Sequence, residues 1–148
     1  MKYTNVKFKA HDFNSFNEYV FADIIAVHDG KWVFSKHKDR DTWETQGGHI
    51  DAGETPLETA KRELYEEAGA TVFDIEPLCD YWTSAEVDGV PFTGHSQVYF
   101  AVIHEFGEIP EGSEMEKIWL TSSIPDKLTY PDYFNVIFPI AIKRLNSK

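Results

Sequence analysis

The sequence has a single cysteine, Cys79, among 148 residues. An intrachain disulfide is therefore excluded, and a reducing, cytoplasmic setting is the expectation. Cationic residues are scarce: 14 Lys and Arg stand against 25 Asp and Glu, a formal net charge of −11. Binding to a phosphate backbone calls for clustered Lys and Arg, so no stable nucleic-acid complex is expected. A nucleotide is not excluded, because metal ions can meet its charge. No apolar run approaches the ~20 residues that cross a bilayer, and the opening MKYTNVKFKAHDF lacks the apolar core of a signal peptide. No membrane partner is expected. Internal repeats, low-complexity tracts and linker-like stretches do not stand out. What is present, 42% hydrophobic and 15% aromatic residues, suffices for a packed core, and the length fits one domain over residues 1–148. The oligomeric state stays open.

Residues 19–28, YVFADIIAVH, and 31–37, KWVFSKH, are rich in β-branched and aromatic side chains and read as strands. Asp29-Gly30 between them is a hairpin signal, since both turn positions need positive φ. Residues 46–54, with three glycines, read as a tight irregular loop. Thr55 suits a helix N-cap, Pro56 the first helical position and Glu58 a capping box, while Gly69 suits the C-terminal cap. A helix over 56–68 follows. Strands are predicted at 71–87, 94–106 and 116–120, with a turn at Asp88-Gly89. Residues 132–145 carry helical apolar spacing, and Pro139 should kink or split that helix. Mixed strands with one central and one terminal helix predict an α/β or α+β sandwich around a mixed sheet.

On a helical wheel of 56–68, Leu57, Ala60, Leu64 and Ala68 form an apolar stripe expected to face the sheet. Glu63, Glu66 and Glu67 crowd together on another side. Like charges three or four residues apart cost a few tenths of a kcal/mol per pair, about 0.2–0.5. Glu near a helix C-terminus also opposes the dipole. Local stability does not account for the arrangement; a hard divalent cation, which takes carboxylate oxygens and shares its shell with phosphates, would. The competing reading is a solvated acidic face.

The flanks favour the cation. Gly48, Glu54, Arg62, Glu63, Leu64, Glu66, Glu67 and Gly69 fit G-x5-E-x7-R-E-U-x-E-E-x-G-U at eight of its nine specified positions, with U a bulky aliphatic. This is the Nudix box, and the chain resembles the Nudix hydrolase family, whose α/β/α sandwich fits the predicted element order. Two departures stand out. Ala70 occupies the last U position, and Gln46 stands where many members have Pro, which implies a less rigid loop here.

The resemblance implies a loop–helix–loop that holds Mg²⁺ or Mn²⁺ and cleaves a nucleoside diphosphate linked to another group. By position, Glu63 and Glu67 look like the main metal ligands, Glu66 like a ligand for a further ion, and the Gly47 carbonyl like another donor. Gly48, Glu54 and Arg62 look like supporting residues, with Glu54 and Arg62 pairing or orienting a ligand carboxylate. The general base is left open between Glu63, Glu66 and a Glu from the later segment EIPEGSEMEKIW, which offers Glu111, Glu114 and Glu116; Glu114 is favoured as ligand or base. Lys36, Lys38 and Arg40, in the loop before the box, are candidates to meet phosphates, with Lys36 and Arg40 foremost. His49 could contact substrate, and Tyr81, Trp82 and Phe92 could stack a base, although strand aromatics are more often core.

Signatures of the ADP-ribose, NADH and coenzyme A subfamilies are not found. The small MutT-like group remains, which cleaves (deoxy)nucleoside triphosphates or trims triphosphorylated RNA ends. The expected partner is a nucleotide or another diphosphate-containing small molecule. The rival is a Nudix-derived sensor that binds a nucleotide without turnover; such proteins typically lose box Glu residues, and this chain keeps them.

Overall fold

In the computed structural model, which describes residues 3–147, the chain runs β1 (Tyr3–His11), β2 (Phe21–His28), β3 (Lys31–His37), β4 (Trp43–Glu44), β5 (Gln46–His49), α1 (Pro56–Ala68), β6 (Ala70–Val87), β7 (Val90–Phe106), β8 (Met115–Thr121) and α2 (Pro131–Asn146). Residues 1, 2 and 148, the ends of the expected 1–148 domain, lie outside the described residues. Both Asp-Gly pairs form left-handed hairpin turns, with φ of 49° and 76° at Asp29-Gly30 and 53° and 83° at Asp88-Gly89.

Among the described residues the strands form one mixed sheet in the order β1-β6-β7-β2-β3-β4, with β5 also on β2 and β8 on β3. The β2·β7 pair is parallel, the others antiparallel. The sheet forks beside β2. β3 stays on β2 only at the hairpin end, Val27↔Trp32 and His28↔Lys31. β5 takes the vacated edge, Phe21↔His49 to Ile24↔Gln46. This corrects the reading of 46–54 as wholly irregular: an unpaired sheet edge overrides the weak strand propensity of glycine.

Alternation along the strands sorts side chains to two cores. Ala22, Ile24, Ala26, Val33, Tyr99, Ala101 and Ile103 face α1. Ile25, Val27, Trp32, Phe34, Val98 and Phe100 face α2. A helix thus covers each face of the sheet, an α+β sandwich.

α1 has the caps its sequence advertises. Thr55 and Glu58 form a capping box, and Gly69 ends the helix at φ 72° with its N–H donating to Tyr65 O. The apolar stripe is shorter than the wheel predicts. Ala60, Leu64 and Ala68 are buried, but Leu57 is 38% exposed. In the first turn Thr59 takes the inward place, its Oγ1 donating to Glu54 Oε1 at 2.8 Å. Pro139 does not split α2, which runs unbroken from Pro131 to Asn146. Phe134 and Phe138 on its flanks stack at 4.5 Å, and Phe138 meets Trp32 at 4.7 Å, so tertiary packing outweighs the lost N–H donor. β1 was not anticipated, although Val6, Phe8 and Ala10 alternate with the exposed Lys7 and Lys9. Lysines on this edge strand also discourage strand addition.

Gly69→Ala should destabilise the protein more than Gly30→Ala. Both sites have positive φ, which costs an Ala about 1 kcal/mol or more. At Gly69, however, a Cβ would also lie 2.6 Å from Gly107 O, whereas at Gly30 nothing lies within 4 Å. Urea titration should show a gap of about 1 kcal/mol or more between the two variants; equal losses would refute the steric account.

Candidate active site

The close seat of α1 on the sheet builds the site. Ala22, Ala26, Ala60, Ala68, Ala70 and Ala101 are all nearly inaccessible. Small side chains on both surfaces let backbones approach, and Ala70, the small residue at the last box position, is one of them. The last turn of α1 is thereby held against β3 and β5. Three carbonyls that a helix end leaves without partners are satisfied there. Gly69 N donates to Tyr65 O at 2.8 Å, Ser113 Oγ to Glu66 O at 2.7 Å, and Ser35 Oγ to Glu67 O at 2.8 Å.

The box glycines make room for carboxylates. A Cβ on Gly48 would fall 2.8 Å from Glu63 Oε2, and one on Gly47 would fall 2.1 Å from Asp23 Oδ1. The Gly47 N–H donates to Glu67 Oε1 at 2.8 Å. Arg62 is the cation of the cluster. Its Nε and Nη2 grip Glu54 at 2.9 and 3.0 Å, and its Nη1 reaches Glu63 Oε1 at 2.5 Å and Glu66 Oε2 at 3.2 Å. Nη2 also lies 3.2 Å from Asp51 Oδ2.

One guanidinium does not balance this much negative charge. Burial pushes the Glu67 carboxyl up to about 9; the Gly47 N–H opposes the shift, and Glu63, Glu44 and Asp23 add to it. Burial likewise raises Glu63 to about 7, with Arg62 opposing and Glu66 reinforcing. Asp23 rises to about 7, mainly by burial and against the hydrogen bond it accepts from Tyr81 Oη at 2.9 Å. Glu54 goes the other way, to about 2, because Arg62 and then Thr59 donate to it. Among the described residues no three His, Cys, Asp or Glu side chains form a ready-made cation site; Arg62 holds Glu63 and Glu66. The donor set nonetheless fits a hard divalent ion: all-oxygen, under-neutralised, and cradled where a Cβ at Gly48 would intrude.

The structure brings together Glu63, Glu66, Glu67, Gly47, Gly48, Glu54 and Arg62. The Glu114 side chain is 78% exposed and faces His37 Nε2 at 3.8 Å, while its neighbour Ser113 donates to Glu66 O. Glu111 and Glu116 are exposed. Lys36 Nζ donates to Glu116 Oε2 at 3.0 Å, and Arg40 Nη1 to Glu44 Oε1 at 3.2 Å, so both cations are engaged. Arg62 reaches the His49 carbonyl at 3.5 Å, while the His49 ring lies on Phe21 at 4.4 Å. Tyr81 is buried; Trp82 and Phe92 are half-buried. Sequence reasoning missed Asp23 and Glu44. Their signal was a charge inside or beside an apolar strand, Asp23 in FADIIAV and Glu44 after Trp43.

A family model described as the NUDIX domain matches residues 20–133. The chain is 30% identical over 142 residues to the putative 8-oxo-dGTP diphosphatase YtkD of Bacillus subtilis (strain 168), covering 88% of this chain and 87% of that protein. It is 38% identical to the RNA pyrophosphohydrolase of Halorhodospira halophila over only 55 residues, 37% of this chain and 30% of that protein. Among solved structures, the Bacillus subtilis pyrophosphohydrolase BsRppH superposes with a TM-score of 0.77 at 23% identity, covering 96% of this chain and 90% of that one.

The raised carboxyls give a pH test with a definite sign. Glu ordinarily titrates near 4.5, whereas Glu63 and Glu67 keep their protons in the fold up to about 7 and 9. Between those limits the folded state binds more protons than the unfolded one, so stability falls as pH rises. Glu54 opposes this only at the acid end: its contribution is present above 4.5 and lost as pH drops towards about 2. In EDTA, urea midpoints should decline from about pH 5 to about pH 9, and Glu67→Gln should flatten the decline. Midpoints that stay level in the parent would show that the two carboxyls ionise freely.

Proposed function

The chain belongs to the NUDIX family, and on that premise we propose that it is a divalent-cation-dependent diphosphohydrolase acting on a nucleoside triphosphate or a related nucleoside diphosphate derivative. The observation that carries this reading is the under-neutralised cluster at the end of α1, where Glu63 and Glu67 are held partly off water, Glu63 against Arg62 and Glu67 against the Gly47 N–H alone.

Glu63, Glu66, Glu67 and the Gly47 carbonyl would hold the ion, Mg²⁺ or Mn²⁺. When bound, such an ion neutralises phosphate oxygens and lowers the pKa of the attacking water. The protein's own groups do the rest. The Gly47 N–H fixes one Glu67 oxygen and leaves the other free to bind. Arg62, anchored at both Glu54 oxygens, orients Glu63 and Glu66. Glu66, whose side chain is 44% exposed, can take a proton from water at its carboxylate, and so can Glu63. Glu114, on the His37 side, is the weaker candidate.

The substrate class follows from charge. Lys36 and Arg40 are already paired with Glu116 and Glu44, and the net charge is −11. That favours a free nucleotide over a long RNA, whose backbone needs a track of open cations. The putative 8-oxo-dGTP diphosphatase, matched over most of its length, is a relative of that kind.

Release of phosphate and pyrophosphate from a panel of nucleoside triphosphates, their oxidised forms and triphosphorylated RNA, with Mg²⁺ or Mn²⁺, tests the proposal. Turnover should vanish in excess EDTA; undiminished turnover there would sink it. Glu67→Gln keeps the acceptor for the Gly47 N–H but removes a charge. Turnover should fall by roughly 10³-fold or more, while the metal-free protein should melt slightly higher near neutral pH, because no carboxyl at 67 then has to take up a proton on folding. Near-normal turnover in this variant would detach the cluster from the chemistry.

A further inference from the structure

Gln46 occupies the position where many family members carry Pro, and its side chain is completely buried. Its Nε2 donates to Val33 O at 3.2 Å and to Ser35 Oγ at 2.9 Å. A backbone carbonyl only accepts, so Val33 O fixes which end of the amide points there. Ser35, also completely buried, then has its proton left for one use, donation to Glu67 O at 2.8 Å. From Glu67 the path returns: Glu67 Oε1 accepts from Gly47 N at 2.8 Å, and Gly47 follows Gln46 in the chain. The result is a closed ring through β3, β5 and the last turn of α1.

We propose that Gln46 and Ser35 are positioning residues for the Glu67 carboxylate, fixing its distance and direction relative to Gly47 without touching substrate. The inference rests on the hydrolase reading for its consequence, but the ring is a property of the chain alone. Two features support a role beyond general packing. The ring joins two of the groups that would bind the ion, Glu67 and Gly47. It also places a hydroxyl donor at a helix end whose dipole disfavours the carboxylates carried there. Side-chain bonds do here what a proline's fixed φ does elsewhere.

The test uses Ser35→Ala, Gln46→Met and the double variant, with Ser113→Ala as control. Ser113 caps the neighbouring Glu66 carbonyl but lies outside the ring. Amide hydrogen exchange of Gly47, read by NMR in the metal-free protein, should speed up roughly tenfold in each ring variant. It should not change in Ser113→Ala beyond what its loss of global stability explains. The double variant should add little to either single one, because one ring is broken in each. Mg²⁺ affinity by calorimetry should weaken, and kcat should fall roughly 10- to 100-fold with KM for the nucleotide little changed.

Unchanged Gly47 exchange in both ring variants overturns the proposal, as does faster exchange with unchanged kcat and Mg²⁺ affinity. If Ser35→Ala does not fold, Gln46→Met, which keeps the side-chain volume, decides alone. A parent that hydrolyses nothing on the panel overturns the hydrolase reading and the catalytic consequence, while Gly47 exchange still shows whether the ring is present.

Discussion

Glu67 is held mostly off water at the end of a helix whose dipole disfavours an anion, and the charges of Glu63, Glu44 and Asp23 push its carboxyl the same way. Left to itself, a buried carboxyl in that position keeps its proton. The surrounding structure limits the cost without removing it. One N–H from Gly47 reaches the side chain, one hydroxyl from Ser35 reaches the backbone carbonyl, and Ser113 and Gly69 satisfy the carbonyls of Glu66 and Tyr65. Charge is left uncompensated while one Glu67 side-chain oxygen and its backbone carbonyl are held by hydrogen bonds. That combination holds geometry and leaves room for a cation, which suits the ion-binding role proposed for the cluster.

The same constraint explains features of the fold remote from any chemistry. A glycine pair is needed because carboxylate oxygens occupy the space of two Cβ atoms. The alanines between α1 and the sheet bring Glu67's carbonyl within reach of a serine on β3. β3 can present that serine because the sheet forks, so that β5 rather than β3 pairs with the first half of β2. Arg62 is committed to Glu54 by two hydrogen bonds. The Glu54–Arg62 contact therefore sets the angle at which the guanidinium meets Glu63 and Glu66.

How much of this could be read in advance depended on how local its cause was. The α1 boundaries, its capping box, its glycine cap and both Asp-Gly hairpins follow from residues a few positions apart, and each matches the structure. The box spacing likewise placed Glu63, Glu66 and Glu67 on one helix near Gly47 and Gly48. What escaped was set by distant pairing. β5 forms because β3 leaves an edge open, which no property of QGGH announces. Leu57 is exposed because Thr59 turns inward to Glu54, a contact between loop and helix that a wheel does not include. Lys36 lies in sequence near the box, but the pairing of β3 with β8 gives it Glu116 as partner. Asp23 lies 24 positions before Gly47, and the β2·β5 register alone sets them opposite each other.

Gln46 shows the limit most clearly. Read locally, losing Pro before two glycines removes a fixed φ and loosens the loop. In the fold that residue is a strand position with a fully buried side chain whose amide is tied to two other buried groups. A proline restricts one dihedral of its own backbone. A glutamine restrains β3 and, through Ser35, the end of α1 as well. The substitution therefore relocates rigidity from the backbone of one residue to a hydrogen-bonded ring spanning three elements. Rigidity of that kind depends on every member of the ring, so the identities of positions 35, 46 and 67 are coupled here in a way that Pro at 46 would not require.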